Sequence, residues 1–154
     1  MNVYILVEGK RTEKKVYPAW LSILTPHLKK VDIVGDVSDD NYYLISGEGY
    51  PSLLSHLKNA IEEVNEISKF RYLVLCLDAE EMPTLEDRMT RAQFHVAYLR
   101  EMFEERNIAY SKRNPGEICE AHFLTELIKR NEETNHISSF RKFLNLCDMI
   151  NDKK

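Results

Sequence analysis

Two apolar runs, each ending in acid, constrain this chain more than any other feature. Tyr4-Ile5-Leu6-Val7 leads into Glu8-Gly9, and Tyr72-Leu73-Val74-Leu75-Cys76-Leu77 leads into Asp78-Ala79-Glu80-Glu81. Uninterrupted runs of this kind, rich in Ile, Leu and Val, read as strands covered on both faces, the usual state of strands in a parallel sheet. Gly9 permits a sharp turn at the strand's carboxyl end, where open parallel sheets place their sites. Glu8 then stands at the lip of the sheet, where a carboxylate needs a partner if it is buried. Two strands that both finish in acids imply converging carboxylates, whose mutual repulsion a bound cation relieves.

The segments around these runs alternate in period. Lys14 to Leu24 sets Val16, Tyr17, Trp20, Leu21 and Leu24 on one helical side, with Pro18 expected to shorten or kink the helix. Val31 to Val37 and Tyr42 to Ser46 read as strands. Gly47-Glu48-Gly49 is a glycine-bounded loop opening a helix with Pro51 in its first turn. The stripe of that helix (Leu53, Leu54, Leu57, Ala60, Ile61, Val64, Ile67) is expected to be core throughout. Thr90-Arg91-Ala92-Gln93 has the capping-box pattern and predicts a helix to about Arg106. Ile108 to Ser111 is a short β-prone stretch closed by Asn114-Pro115-Gly116, and helices follow from about Glu117 to Lys129 and from Ser139 to Ile150. Strands alternating with helices predict one three-layer α/β domain over residues 1–150, with four or five mostly parallel strands and a frayed tail at 151–154.

Composition narrows the function classes. With 44% hydrophobic and 30% charged residues in 154, the chain is an ordinary folded domain. Its net charge of −4 argues against a sequence-independent nucleic-acid coat, though a nuclease with an acidic metal site fits the same total. Three widely spaced cysteines (Cys76, Cys119, Cys147) make no CxxC pair, and Cys119-x-x-His122 is half a zinc ligand set. The amino terminus runs directly into a strand, with neither a basic leader nor a long apolar stretch, so a cytoplasmic protein without a membrane span is expected. Basic clusters at Lys10/Arg11/Lys14/Lys15, Lys29/Lys30 and Lys112/Arg113 are either solvated faces or phosphate contacts; Lys10, Arg11, Lys112 and Arg113 are the candidates for nucleic acid.

Phosphodiester chemistry uses a divalent cation to polarise the phosphate, activate water and steady the leaving oxygen. Hard cations take oxygen ligands, so carboxylates at different strand ends are the expected residues. Glu8, Asp78 and Glu80 fit, with Glu13 and Glu81 as further ligands or bases. Residues 78 and 80 project to one side where the chain stays extended. Each also has a simpler role: Glu8 capping the next helix or pairing with Lys10, Asp78 as an N-cap, Glu13 in a helix's first turn, His122 as a structural histidine.

Val7-Glu8-Gly9-Lys10-Arg11-Thr12-Glu13, followed by Leu77-Asp78-Ala79-Glu80, resembles the Toprim catalytic core of topoisomerases, bacterial primases and nucleases of the overcoming-lysogenization-defect family. The E-G-x-x-T-E form is most similar to small stand-alone Toprim-like proteins found beside ATPases in restriction and phage-defence loci. Ser46-Gly47-Glu48-Gly49 resembles their glycine turn, and Ile118-Cys119-Glu120-Ala121-His122-Phe123-Leu124 their Glu-Ala-Trp-aliphatic segment. The resemblance implies a Rossmann-like Toprim fold, Mg²⁺ (or Mn²⁺) held by Glu8, Asp78, Glu80 and Glu81, and a site role for Glu120. It departs in two places, with Glu80 where the family has a second aspartate and His122 where it has tryptophan. There is no GxxxxGK[ST], so nucleotide hydrolysis would belong to a separate ABC- or AAA-type ATPase, with this chain oligomeric within the complex. Two functions follow: a metal-dependent nuclease cutting DNA or RNA, tRNA included, as effector of an anti-phage system, or an inactive Toprim-like binding subunit of such a complex. A receiver-like domain binding a phosphorylated ligand fits the glutamate-first pattern poorly.

Overall fold

The computed structural model describes residues 1–76, 114–134 and 138–152. Among them lie four strands, β1 (Val3–Val7), β2 (Lys29–Val31), β3 (Asn41–Ser46) and β4 (Tyr72–Cys76), in one all-parallel sheet of order β2-β3-β1-β4. Four α-helices accompany them: α1 (Glu13–Leu24), α2 (Ser52–Ile67), α3 (Ala121–Thr134) and α4 (Ser138–Asn151). The chain is therefore α/β, as its alternating pattern predicts. No helix among the described residues is long and apolar enough to cross a membrane.

β1 is the axis of the sheet. It pairs with β3 on one side and β4 on the other, Val7 aligning with both Ser46 and Cys76. All five residues of β1 are buried, which a strand with neighbours on both edges and helices on both faces requires. Side chains alternate in direction along a strand, so the two faces draw on different residues. Val3, Ile5 and Val7 join Leu21 of α1 and Cys147 and Ile150 of α4 in one core. Tyr4 belongs to the opposite set and donates its hydroxyl to Oε2 of Glu63 on α2 at 2.7 Å. Its ring meets Tyr43 and Phe70 edge-on, with centroids 5.2 and 5.3 Å apart.

Aromatic side chains join the two helices that share the first face. Tyr17 packs edge-on against Phe143, and Trp20 against Phe140, at 5.4 and 5.5 Å. The indole Nε1 of Trp20 also donates to the carbonyl of Ile118, 2.8 Å away, tying α1 to the 3₁₀ turn Gly116–Cys119. At the amino end of the sheet Asn2 acts as a clamp. Its Oδ1 accepts from the Asn41 amide, its Nδ2 reaches the carbonyls of Ser38 and Lys69, and its own carbonyl accepts from Arg71.

Several elements differ from the sequence reading. The second strand is Lys29–Val31 rather than 31–37, and Val34–Asp36 forms a 3₁₀ turn. Pro18 sits inside a helix that runs unbroken for twelve residues. Pro51, joined to Tyr50 by a cis peptide, occupies the N-cap of α2 rather than its first turn. The stripe of α2 is only partly core: Leu53 and Ala60 are buried, whereas Leu54 and Ile61 are 55% and 46% exposed. The helix expected from Glu117 is a 3₁₀ turn, a break at Glu120 and then α3. Asn151 does not fray, because its Nδ2 donates to the carbonyl of Leu24 at 3.0 Å. The helix expected at 90–106 and the strand expected at 108–111 lie outside the described residues.

Leu21→Ala removes a fully buried side chain between α1 and the sheet, and should cost about 2–5 kcal/mol in urea unfolding. Burial, helped by nearby Asp148, pushes the Cys147 thiol from its ordinary 9.0 up to about 12. Its folded form thus holds the proton more tightly than the unfolded chain. The associated stability is complete below pH 9 and is lost as the pH climbs toward 12. Urea midpoints measured at pH 8 and pH 11 should therefore fall, and fall less in Cys147→Ala.

Candidate functional site at the carboxyl end of the central strand

β1 delivers Glu8 to the carboxyl edge of the sheet with its backbone secured on both sides. The Glu8 amide donates to the carbonyl of Cys76 at the end of β4, at 3.1 Å. On the other side Gly47 N–H donates to Val7 at 2.7 Å, and Gly49 N–H donates to the Glu8 carbonyl at 2.9 Å. The sheet ladder thus continues one residue past the strand, and Glu8 is half-buried in it.

The turn over Gly9 brings the second glutamate back to the same place. A Cβ added to Gly9 would lie 2.0 and 2.1 Å from the two carboxylate oxygens of Glu13, so that carboxylate rests directly on the Gly9 backbone. Glu13 is the first residue of α1, where the helix dipole favours an acid. Thr12 holds the N-cap position, and Lys15 and Val16 both donate to its carbonyl. Glu8 lies five residues before α1 and does not cap it. Beneath this corner the Cys76 thiol is pushed up by burial and by the Glu13 charge, while a hydrogen bond with Tyr17 pulls it back. Glu13 is therefore within electrostatic reach of the end of β4 as well as of β1.

The glycine turn after β3 forms the remaining wall. Gly49 has φ +86° and Glu48 φ +64°, two successive left-handed residues. For glutamate this conformation costs about 1–2 kcal/mol, offset in part by the Glu48 amide donating to Ser46 Oγ at 3.0 Å. Gly47 is required by packing: a Cβ there would meet Leu53 Cδ1 at 2.2 Å and Leu53 Cα at 3.0 Å. The Glu48 carboxylate faces Lys10, with Oε2 to Nζ at 3.5 Å.

The structure thus gathers Glu8, Glu13 and Lys10 at one strand end, with Arg11 exposed on the same loop. Glu120 is an exposed, extended residue between the 3₁₀ turn and α3, in a segment tied through Trp20 to α1, the helix that also carries Glu13. The Cys119 thiol beside it is pushed up by burial and by Glu120, against the pull of Lys15. His122 is exposed at the start of α3, so the expectation of a packed structural histidine is not met. Asp78, Glu80, Glu81, Lys112 and Arg113 lie outside the described residues. Among the described residues no group of three or more His, Cys, Asp or Glu is placed to hold a metal ion. The oxygen donors of Glu8 and Glu13 are nevertheless of the type that Mg²⁺ takes. Glu48 is the neighbour the sequence reading missed. Its signal was the glycine turn itself, where an acid between two glycines is carried toward whatever the turn touches.

The two glycines separate fold from site. Gly47→Ala drives a methyl group into the buried Leu53 side chain and against its Cα, and should cost about 1–3 kcal/mol in urea unfolding. Gly9→Ala displaces only the tip of a flexible side chain, so its stability should stay within about 0.5 kcal/mol of the native chain.

No family model matches the chain, and neither a curated protein nor a solved structure matches it.

Proposed function

We propose that this chain is a Mg²⁺-dependent (or Mn²⁺-dependent) nuclease with a Rossmann-like Toprim fold. It would act in the cytoplasm as the effector of an anti-phage system whose ATPase is a separate subunit. One observation carries the reading: a glutamate on the central parallel strand is held at the sheet's carboxyl edge by both neighbours, with a second carboxylate laid across the adjacent glycine. An all-parallel sheet concentrates its sites at that edge, and carboxylates there are hard-cation ligands.

Glu8, Asp78, Glu80 and Glu81 would hold the metal. Asp78 follows the end of β4 by two residues, and β4 is the strand whose last residue accepts from Glu8. A bound metal ion would polarise the scissile phosphate and supply a water of lowered pKa. Glu13, on the first turn of α1, would orient that water or accept its proton. Lys10 and Arg11 flank the site on the same loop and offer positive charge to the phosphates, with Lys112 and Arg113 as further candidates. Glu120, immediately before α3, is a further candidate for contact with the substrate.

The test is cleavage of plasmid, single-stranded DNA and tRNA in Mg²⁺ or Mn²⁺, with and without a candidate ATPase partner. Glu8→Ala and Asp78→Ala should each lower the rate by about a hundredfold or more. Cutting that survives both substitutions would place the activity elsewhere. Absence of cutting in every condition would favour an inactive Toprim-like binding subunit.

A further inference from the structure

Glu48 sits where an acid opposes the expected substrate. Its turn is bonded to the Glu8 backbone through Gly49, and its carboxylate faces Lys10, two residues past Glu8. The left-handed backbone at Glu48, φ +64°, suits glycine or asparagine better than glutamate. An acid is therefore held at that position against its own conformational preference. The Lys10 and Glu48 side chains are 59% and 56% exposed, so water and dissolved anions reach the pair from outside. An exposed ion pair contributes little net energy and exchanges readily. A phosphate oxygen and a carboxylate oxygen are equivalent acceptors for a lysine ammonium.

We propose that Glu48 is a counter-charge gate on Lys10. Without substrate the Glu48 carboxylate occupies Lys10; when a polynucleotide binds at the strand end, a backbone phosphate takes its place. This rests on the nuclease reading of the same site and adds to it a residue that sets the class of ligand. A lone phosphate gains little by exchanging one weak pair for another. A polyanion anchored at other points meets Lys10 at high effective concentration and displaces the carboxylate. Glu48 thus selects for extended nucleic acid over mononucleotides and inorganic phosphate.

The experiment is a fluorescence-anisotropy titration of a labelled single-stranded DNA oligonucleotide, with Ca²⁺ replacing Mg²⁺, across a series of salt concentrations. The full chain is compared with Glu48→Gln, Lys10→Ala and the double variant. Glu48→Gln should bind about two- to fivefold more tightly at low salt, the equivalent of one exposed ion pair. It should also steepen the salt dependence by about one released counterion. In the Lys10→Ala background the same substitution should change nothing, because the effect runs through that lysine. Unchanged affinity in Glu48→Gln, or equal tightening in the Lys10→Ala background, overturns the gate while leaving the nuclease reading intact. If no form of the chain binds even at low salt, the nucleic-acid reading fails and the gate with it.

Discussion

The backbone of Glu8 is hydrogen-bonded on both edges, its amide to the last residue of β4 and its carbonyl to the glycine turn after β3. A residue just beyond a strand ordinarily swings with its loop. Here the Cα of Glu8 is set by the sheet. A site built this way loses little conformational entropy on taking up a ligand. The arrangement depends on three parallel strands ending level, which the in-register alignment of Val7 with Ser46 and Cys76 provides. At the other end of the same strands Asn2 supplies the corresponding restraint, reaching β3 through Asn41 and the approach to β4 through Lys69 and Arg71.

Around this frame the glycines do different work. Gly9 makes room for a carboxylate, Gly47 for Leu53 of α2, and Gly49 supplies a left-handed turn residue that starts α2 through its carbonyl bond to Leu53. The conformational cost of the turn is concentrated at Glu48, whose side chain pairs with Lys10. Strain of this kind persists only where the surroundings over-determine it. Here the bonds from Gly47 and Gly49 to β1 are the determinants.

Much of this was legible in the residues. The Tyr4–Val7 run predicts a strand covered on both faces, and all of β1 is buried; Tyr42 to Ser46 predicts β3 to within one residue. The second strand was not legible, because it is a short strand at the end of the sheet among the described residues, carried by Lys29 and Lys30 with little burial to impose a pattern. The apolar residues that suggested it fall later, and Ile33 among them is 63% exposed. The helix expected at Glu117 failed for a related reason. Apolar spacing is helical from Ile118 onward, but Gly116 at φ +56° and the preceding Pro115 favour a tight 3₁₀ turn, and the chain re-extends at Glu120. For the site, acid type and strand-end position pointed to Glu8 and Glu13. The Lys10–Glu48 pairing was invisible, since it depends on which strand end the glycine turn folds against.

The hydrogen bond from Trp20 to Ile118 has a spectroscopic consequence. Trp20 is the only tryptophan in the chain, and its indole spans the joint between α1 and the turn that leads to Glu120. Emission excited at the red edge of the absorption band, where the eight tyrosines do not absorb, therefore comes from a single place. It reports whether the Glu120 segment is seated on the helix that carries Glu13, because unseating it exchanges a carbonyl partner for water. The chain thus carries its own optical gauge of that joint, readable in any mixture whose other components lack tryptophan.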